Sequence, residues 1–102
     1  MVSTLTASER RALEIVRDHH PIAGAAFARW MWPDSEGWQK VSKAGNYGSR
    51  AGAGMPRAGG SYLARLATKG LLRLVSNLEG GIWRPRYLIS RGGLEALREE
   101  ER

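Results

Sequence analysis

The sequence has no cysteine, which excludes disulfides and thiolate metal sites, and its only histidines, His19 and His20, are adjacent and make a poor metal site alone. It also lacks a basic start followed by a long apolar stretch, and no run approaches the roughly 20 apolar residues of a membrane span. The expectation is a soluble cytoplasmic protein, mature as written, with no membrane partner. No carboxylate pair, nucleophile constellation or metal-ligand spacing is recognisable, so neither an enzyme nor a cofactor is expected. Acids are scarce in one region above all. From residue 37 to 94, Glu79 stands alone against ten lysines and arginines, net +9, while residues 1–36 carry net −1 and residues 95–102 net −2. Charge segregated this sharply is the usual footprint of a polyanion partner. A merely solvated face on an arginine-rich chain, with thirteen Arg to three Lys, would explain the abundance of charge but not its clustering.

What is present fits one domain of 102 residues with a single modest core. Thr6-Ala7-Ser8-Glu9 has the form of a capping box, and Ala12, Leu13, Ile15 and Val16 follow at helical spacing, predicting a first helix over Ala7 to His19 that Pro21 ends. His19 and His20 at its C-terminal end are read as capping or packing residues. Pro21 suits the first position of a second helix, about Ile22 to Trp32, with Ile22, Ala26, Phe27 and Trp30 as its buried stripe. Trp30, Trp32 and Trp38 are read as core or loop anchors. Stacking on unpaired bases is the alternative, but they do not interleave regularly with basic residues.

Between Asp34 and Met55 the pattern dissolves. Asp34 or Ser35 can cap a short helix through Trp38 to Lys43, and the rest is a flexible, basic, glycine-rich loop with four Gly between Ala44 and Gly54. No Gly-Lys-Ser or Gly-Lys-Thr follows a strand, so it is not a P-loop. Pro56 then restarts a helix that continues to about Lys69, where Gly70 stops it. Arg57, Ser61, Ala64, Arg65 and Thr68 fall on an outward face, with Leu63, Leu66 and Ala67 inward and Tyr62 at the border. Gly59 and Gly60 weaken this helix and so imply a close approach, of a neighbouring helix or of a sugar-phosphate backbone. Leu71 to Val75 and Trp83 to Ile89 read as antiparallel strands joined across Asn77 to Gly81. Pro85 puts its strand at an edge or marks a bulge. Arg84 and Arg86 project from the hairpin, with Tyr87 and Ile89 on one face and Leu88 on the other. Ser90 can cap a last helix in which Leu94 and Leu97 pack inward.

The run Tyr62-Leu63-Ala64-Arg65-Leu66-Ala67-Thr68-Lys69-Gly70-Leu71-Leu72, followed by Arg86-Tyr87-Leu88-Ile89-Ser90-Arg91-Gly92-Gly93-Leu94-Glu95-Ala96-Leu97, resembles the recognition helix and wing of winged helix-turn-helix regulators such as the bacterial multiple-antibiotic-resistance repressor family. The resemblance covers Ala7 to Leu97 in layout and Tyr62 to Leu97 in residues. It implies an α+β, mainly α fold: three helices, a two-stranded wing and a C-terminal helix, with a long glycine-rich insertion between helices two and three. It also implies a non-enzymatic double-stranded DNA-binding protein of a bacterium or phage, a transcriptional regulator or an accessory factor. Arg57, Ser61, Arg65 and Thr68 would meet the major groove, and Arg84 and Arg86 the minor groove or backbone. Lys40, Lys43, Arg50, Lys69 and Arg73 are the expected phosphate contacts. The insertion is far longer than the usual tight turn, which alters the helix-turn-helix geometry; the long dimerising terminal helices of those repressors are missing, and no ligand pocket can be argued, so no small-molecule ligand or ligand-responsive repression is inferred. A homodimer through outer parts of the first or last helix is expected, because one domain of this size has little area for specific recognition. The alternative function is a winged helix that docks a protein through its Trp-rich second helix and loop.

Overall fold

Thr6 caps the first helix as predicted. Its hydroxyl accepts from the Glu9 N–H at 3.0 Å while the Glu9 carboxylate accepts from the Thr6 N–H at 3.0 Å, and helix α1 runs Ala7–His19. The computed structural model describes residues 5–39 and 54–100. Over them the order is α1, α2 (Gly24–Met31), a short 3-10 turn (Glu36–Trp38), α3 (Gly54–Thr68), β1 (Leu72–Glu79), β2 (Ile82–Ile89) and α4 (Arg91–Glu100). The fold is α+β and mainly helical, with one two-stranded antiparallel sheet.

The second helix starts later than expected. Pro21 does not begin it, because Ile22 is extended and pairs with Tyr87 of β2: the Ile22 N–H donates to the Tyr87 carbonyl at 3.0 Å, and the Tyr87 N–H returns to the Ile22 carbonyl at 2.9 Å. The later start rotates the buried face. Phe27, Ala28 and Met31 lie inside, whereas Ala26 and Trp30, expected on the stripe, are exposed. Ser35 caps the following turn by accepting from the Gly37 N–H at 3.1 Å, but that turn ends at Trp38 as a 3-10 segment. The expected extension to Lys43 and the glycine-rich loop lie outside the described residues.

α3 begins two residues before Pro56, which still falls in the first turn, where no N–H is needed. Its end is a Schellman motif: Gly70 has φ +81°, its N–H donates to the Ala67 carbonyl at 2.9 Å, and the Leu71 N–H donates to the Leu66 carbonyl at 3.0 Å. α2 and α3 touch backbone to backbone. A Cβ at Gly59 would stand 2.2 Å from the Gly24 carbonyl oxygen, and one at Gly24 would stand 2.7 Å from the Gly60 nitrogen. Of the two explanations for the glycine pair, helix against helix is the one realised at Gly59.

Leu13, Val16, Phe27, Leu63 and Leu66 are fully buried and draw α1, α2 and α3 together, while Leu72, Tyr87 and Leu97 close the core from the sheet and α4. Tyr62 stacks on Phe27 at 5.8 Å between ring centroids, and Trp32 meets both rings edge-on. Leu97 is buried as expected. Leu94, expected inward, is 41% exposed, since the ten-residue α4 turns its one apolar stripe through Leu97.

The hairpin is longer than the sequence indicates. Asn77, Leu78 and Glu79 are strand rather than turn, and the reversal is only Gly80-Gly81, both with positive φ (+58° and +81°). The register is unbroken from Leu72↔Ile89 to Glu79↔Ile82, so Pro85, paired with Ser76, marks an edge and not a bulge. Tyr87 directs its N–H away from β1, toward Ile22, and Pro85 two residues earlier faces the same way. Its missing N–H therefore costs the β1–β2 ladder nothing.

Candidate nucleic-acid interface

The outward face of α3 is built by default: Leu63 and Leu66 must be buried, and helical spacing then turns Arg57, Ser61, Ala64, Arg65 and Thr68 to solvent. All five are exposed, and no acid lies anywhere on α3. Arg57 forms no ion pair with a described residue. Arg65 lies over the Tyr62 ring, its guanidinium carbon 5.2 Å from the centroid, so the ring steadies the cation without neutralising it. The Thr68 hydroxyl is turned back on its own helix, donating to the Ala64 carbonyl at 3.0 Å.

Two of the expected phosphate or wing contacts already have partners. Lys69 Nζ donates to Glu9 Oε2 at 2.5 Å, which ties the end of α3 to the first turn of α1. With that ammonium beside it and the Thr6 N–H bonded to it, the Glu9 carboxyl is held below its ordinary pKa despite its burial. Burial raises the Tyr62 phenol, and the Glu9 charge raises it further. Thr6, Glu9, Tyr62, Arg65, Leu66 and Lys69 border a shallow cleft of about 190 Å³. That is below the roughly 300 Å³ at which ligand pockets begin. On the hairpin, Arg86 donates to Glu79 Oε1 at 2.7 Å and to the Pro85 carbonyl at 2.8 Å, and its side chain is only 18% exposed.

Arg73 and Arg84 are exposed and form no ion pair with a described residue. The register puts both on one face of the hairpin with Arg86: the cross-strand pairs Arg73↔Leu88, Val75↔Arg86 and Asn77↔Arg84 alternate with pairs that point the other way. The cations thus occupy two exposed tracts, the outer side of α3 and one face of the hairpin. Ser90 joins the elements that carry them. Its hydroxyl donates to the Gly70 carbonyl at 2.6 Å and accepts from the Gly93 N–H at 3.1 Å, and its N–H donates to the Leu71 carbonyl at 3.1 Å. The cap foreseen for α4 is therefore also the joint between α3 and the root of the hairpin. Lys40, Lys43 and Arg50 lie outside the described residues.

The aromatics near α2 are divided. Trp38 is anchored, its indole N–H donating to the Trp32 carbonyl at 2.7 Å under the Arg29 guanidinium, and Trp32 packs on the core. Trp30 is 52% exposed and stacks on His19 at 4.2 Å, which gives that histidine the packing role expected of it. The exposed apolar side chains of the hairpin, Leu74, Leu78, Ile82 and Trp83, were not singled out from sequence, although period-two alternation carried through residue 79 would have shown them. Among the described residues no group of three His, Asp or Glu side chains stands close enough to hold a metal ion, and no helix is long and apolar enough to cross a membrane. Compared with family models, with curated proteins and with solved structures, the chain gives no match.

Proposed function

We propose that this protein is a non-enzymatic winged-helix binder of double-stranded DNA, a transcriptional regulator or accessory factor of a bacterium or phage, acting in the cytoplasm or at the nucleoid. The observation that carries the reading is the acid-free, exposed outer face of α3, with Arg57, Ser61 and Arg65 at helical spacing. A helix of this width enters the major groove, and an arginine there can bond guanine O6 and N7 together. The Ile22–Tyr87 bridge supports the same reading, because this single antiparallel pair ties the segment between α1 and α2 to the root of the hairpin. Arg73 and Arg84 serve the backbone and minor groove. Lys69 and Arg86, held by Glu9 and Glu79, contribute through partly compensated charge. Lys40, Lys43 and Arg50 complete the phosphate set.

Retention on a random-sequence duplex at two salt concentrations tests this reading. With about five phosphate contacts, log K falls against log salt with a slope near −4.5. A flat response would remove DNA from consideration. The second reading, a protein-docking module, is favoured by the exposed Trp30, but Trp32 and Trp38 are engaged within the fold, which shrinks the surface α2 has to offer. Failure to bind duplex, with a complex lost on Trp30→Ala, would support it.

A further inference from the structure

The hairpin has two unlike faces. Arg73, Asn77, Arg84 and Arg86 lie on one, with Glu79 and Ile82, while the register gathers Leu74, Leu78, Trp83 and Pro85 on the other around a single polar Ser76, continuous with the buried root formed by Leu72, Tyr87 and Ile89. Beyond the root this apolar face is bare: Leu74 and Leu78 are each 58% exposed and Trp83 is 67% exposed. The cross-strand pair Leu78↔Trp83 is one step from the tip, and the tip is Gly80-Gly81, a reversal without side chains. A contiguous apolar patch of this kind on a small protein is often functional.

We propose that the outer hairpin is a minor-groove wedge, in which Trp83 and Leu78 enter between base pairs and unstack one step while Arg84 and Asn77, paired on the opposite face, lie along the groove. The proposal rests on the DNA-binding reading above and extends it to how the duplex is deformed. Two arguments select this occupant. One is area: the bare part of the face offers on the order of 400 Å², about half of the roughly 800 Å² per partner in a stable protein interface. A second copy of the chain seated here alone would hold weakly. The other is charge. The same two strands bring Arg73 and Arg84 with no ion-pair partner among the described residues, and their one acid, Glu79, is taken up by Arg86, so the hairpin matches an anionic groove. A blade with a side-chain-free tip suits a groove about 6 Å wide, and minor-groove proteins join arginine or asparagine to apolar wedges in this way.

The test needs no target sequence. Duplexes of about 100 base pairs are shorter than the persistence length and circularise poorly under ligase unless a protein bends them. The intact protein should raise ring closure of a random-sequence fragment of that length, and should raise the fluorescence of 2-aminopurine placed beside TA steps as bases unstack. Trp83→Ala and Leu78→Ser should each abolish both signals and weaken duplex binding about 5- to 100-fold. Ala26→Ser, exposed on α2 and outside the hairpin, should leave both unchanged. Because the wild-type signals are themselves diagnostic, the proposal does not depend on the variants folding. Duplex binding with neither ring closure nor a 2-aminopurine rise would overturn the wedge and leave the DNA reading standing, whereas no duplex binding at low salt would overturn both. A dimer in sedimentation that Trp83→Ala converts to monomer would assign the face to a second copy instead.

Discussion

Gly59 and Gly60 are neighbours with opposite duties. At Gly59 there is no room for a methyl group, because the Gly24 carbonyl oxygen would lie 2.2 Å away; at Gly60 an added Cβ meets nothing within 4 Å. Gly59→Ala should therefore destabilise the protein by about 1–3 kcal/mol through overpacking, while Gly60→Ala should stabilise it by about 0.5–1 kcal/mol by reducing the freedom of the unfolded chain. Urea midpoints of the two variants separate these outcomes, and midpoints shifted in the same direction would contradict the packing described. Glu9 makes a second residue-scale prediction. Its pKa is depressed in the folded protein, so its contribution is complete above the ordinary carboxylate range and is lost as pH falls through the lower folded value. Glu9→Gln should cost on the order of 1 kcal/mol at pH 7, the low end for a charged hydrogen bond because Lys69 is half exposed, and the gap from wild type should close in acid. Thermal melts at pH 7 and at acid pH measure that closure.

At the scale of elements, local chemistry was readable and long-range geometry was not. α1 follows from a capping box at one end and a proline just beyond the other, both written within a few residues, and Lys-Gly-Leu contains the Schellman stop of α3. The bridge between Ile22 and Tyr87 has no such signature. It is a single pair between residues 65 positions apart, and missing it displaced the start of α2 and with it the helix phase, which is why Ala26 and Trp30 were expected where Ala28 and Met31 lie. The candidate site divides likewise: the outer face of α3 was legible from periodicity, whereas the capture of Lys69 by Glu9 across 60 residues was not. The hairpin was underestimated because Asn77 so near two glycines looks like turn chemistry. Of these elements α4 depends most on one side chain. Ser90→Ala should cost about 1 kcal/mol from the lost cap alone. Hydrogen exchange should then show α4 opening before α1, and equal protection of the two helices would argue against that dependence.

For the whole molecule, the proposed division of labour between its two basic tracts is open to measurement. Arg65→Ala should weaken preferred duplexes by roughly 1–3 kcal/mol and leave random ones nearly unchanged, while Arg73→Ala should weaken both alike and flatten the salt slope by about one. Equal losses for the two variants on both duplexes would refute the assignment of reading to α3 and holding to the hairpin. Assembly has its own candidate surface. Leu94 is 41% exposed beside Arg17, Leu97 and Arg98, where α1 and α4 meet. The Ser90 joint has a consequence on this scale too. Since one hydroxyl links the end of α3 to the start of α4 at the root of the hairpin, it acts as a rivet beside the shared core of Leu66, Leu72 and Tyr87 in holding the angle between α3 and the hairpin. On the proposed DNA-binding reading, the interval along a duplex between the patch shielded by α3 and the patch shielded by the hairpin would then be a constant of the protein, independent of sequence. Loosening the rivet with Ser90→Ala should blur that interval in a hydroxyl-radical footprint before it abolishes either patch.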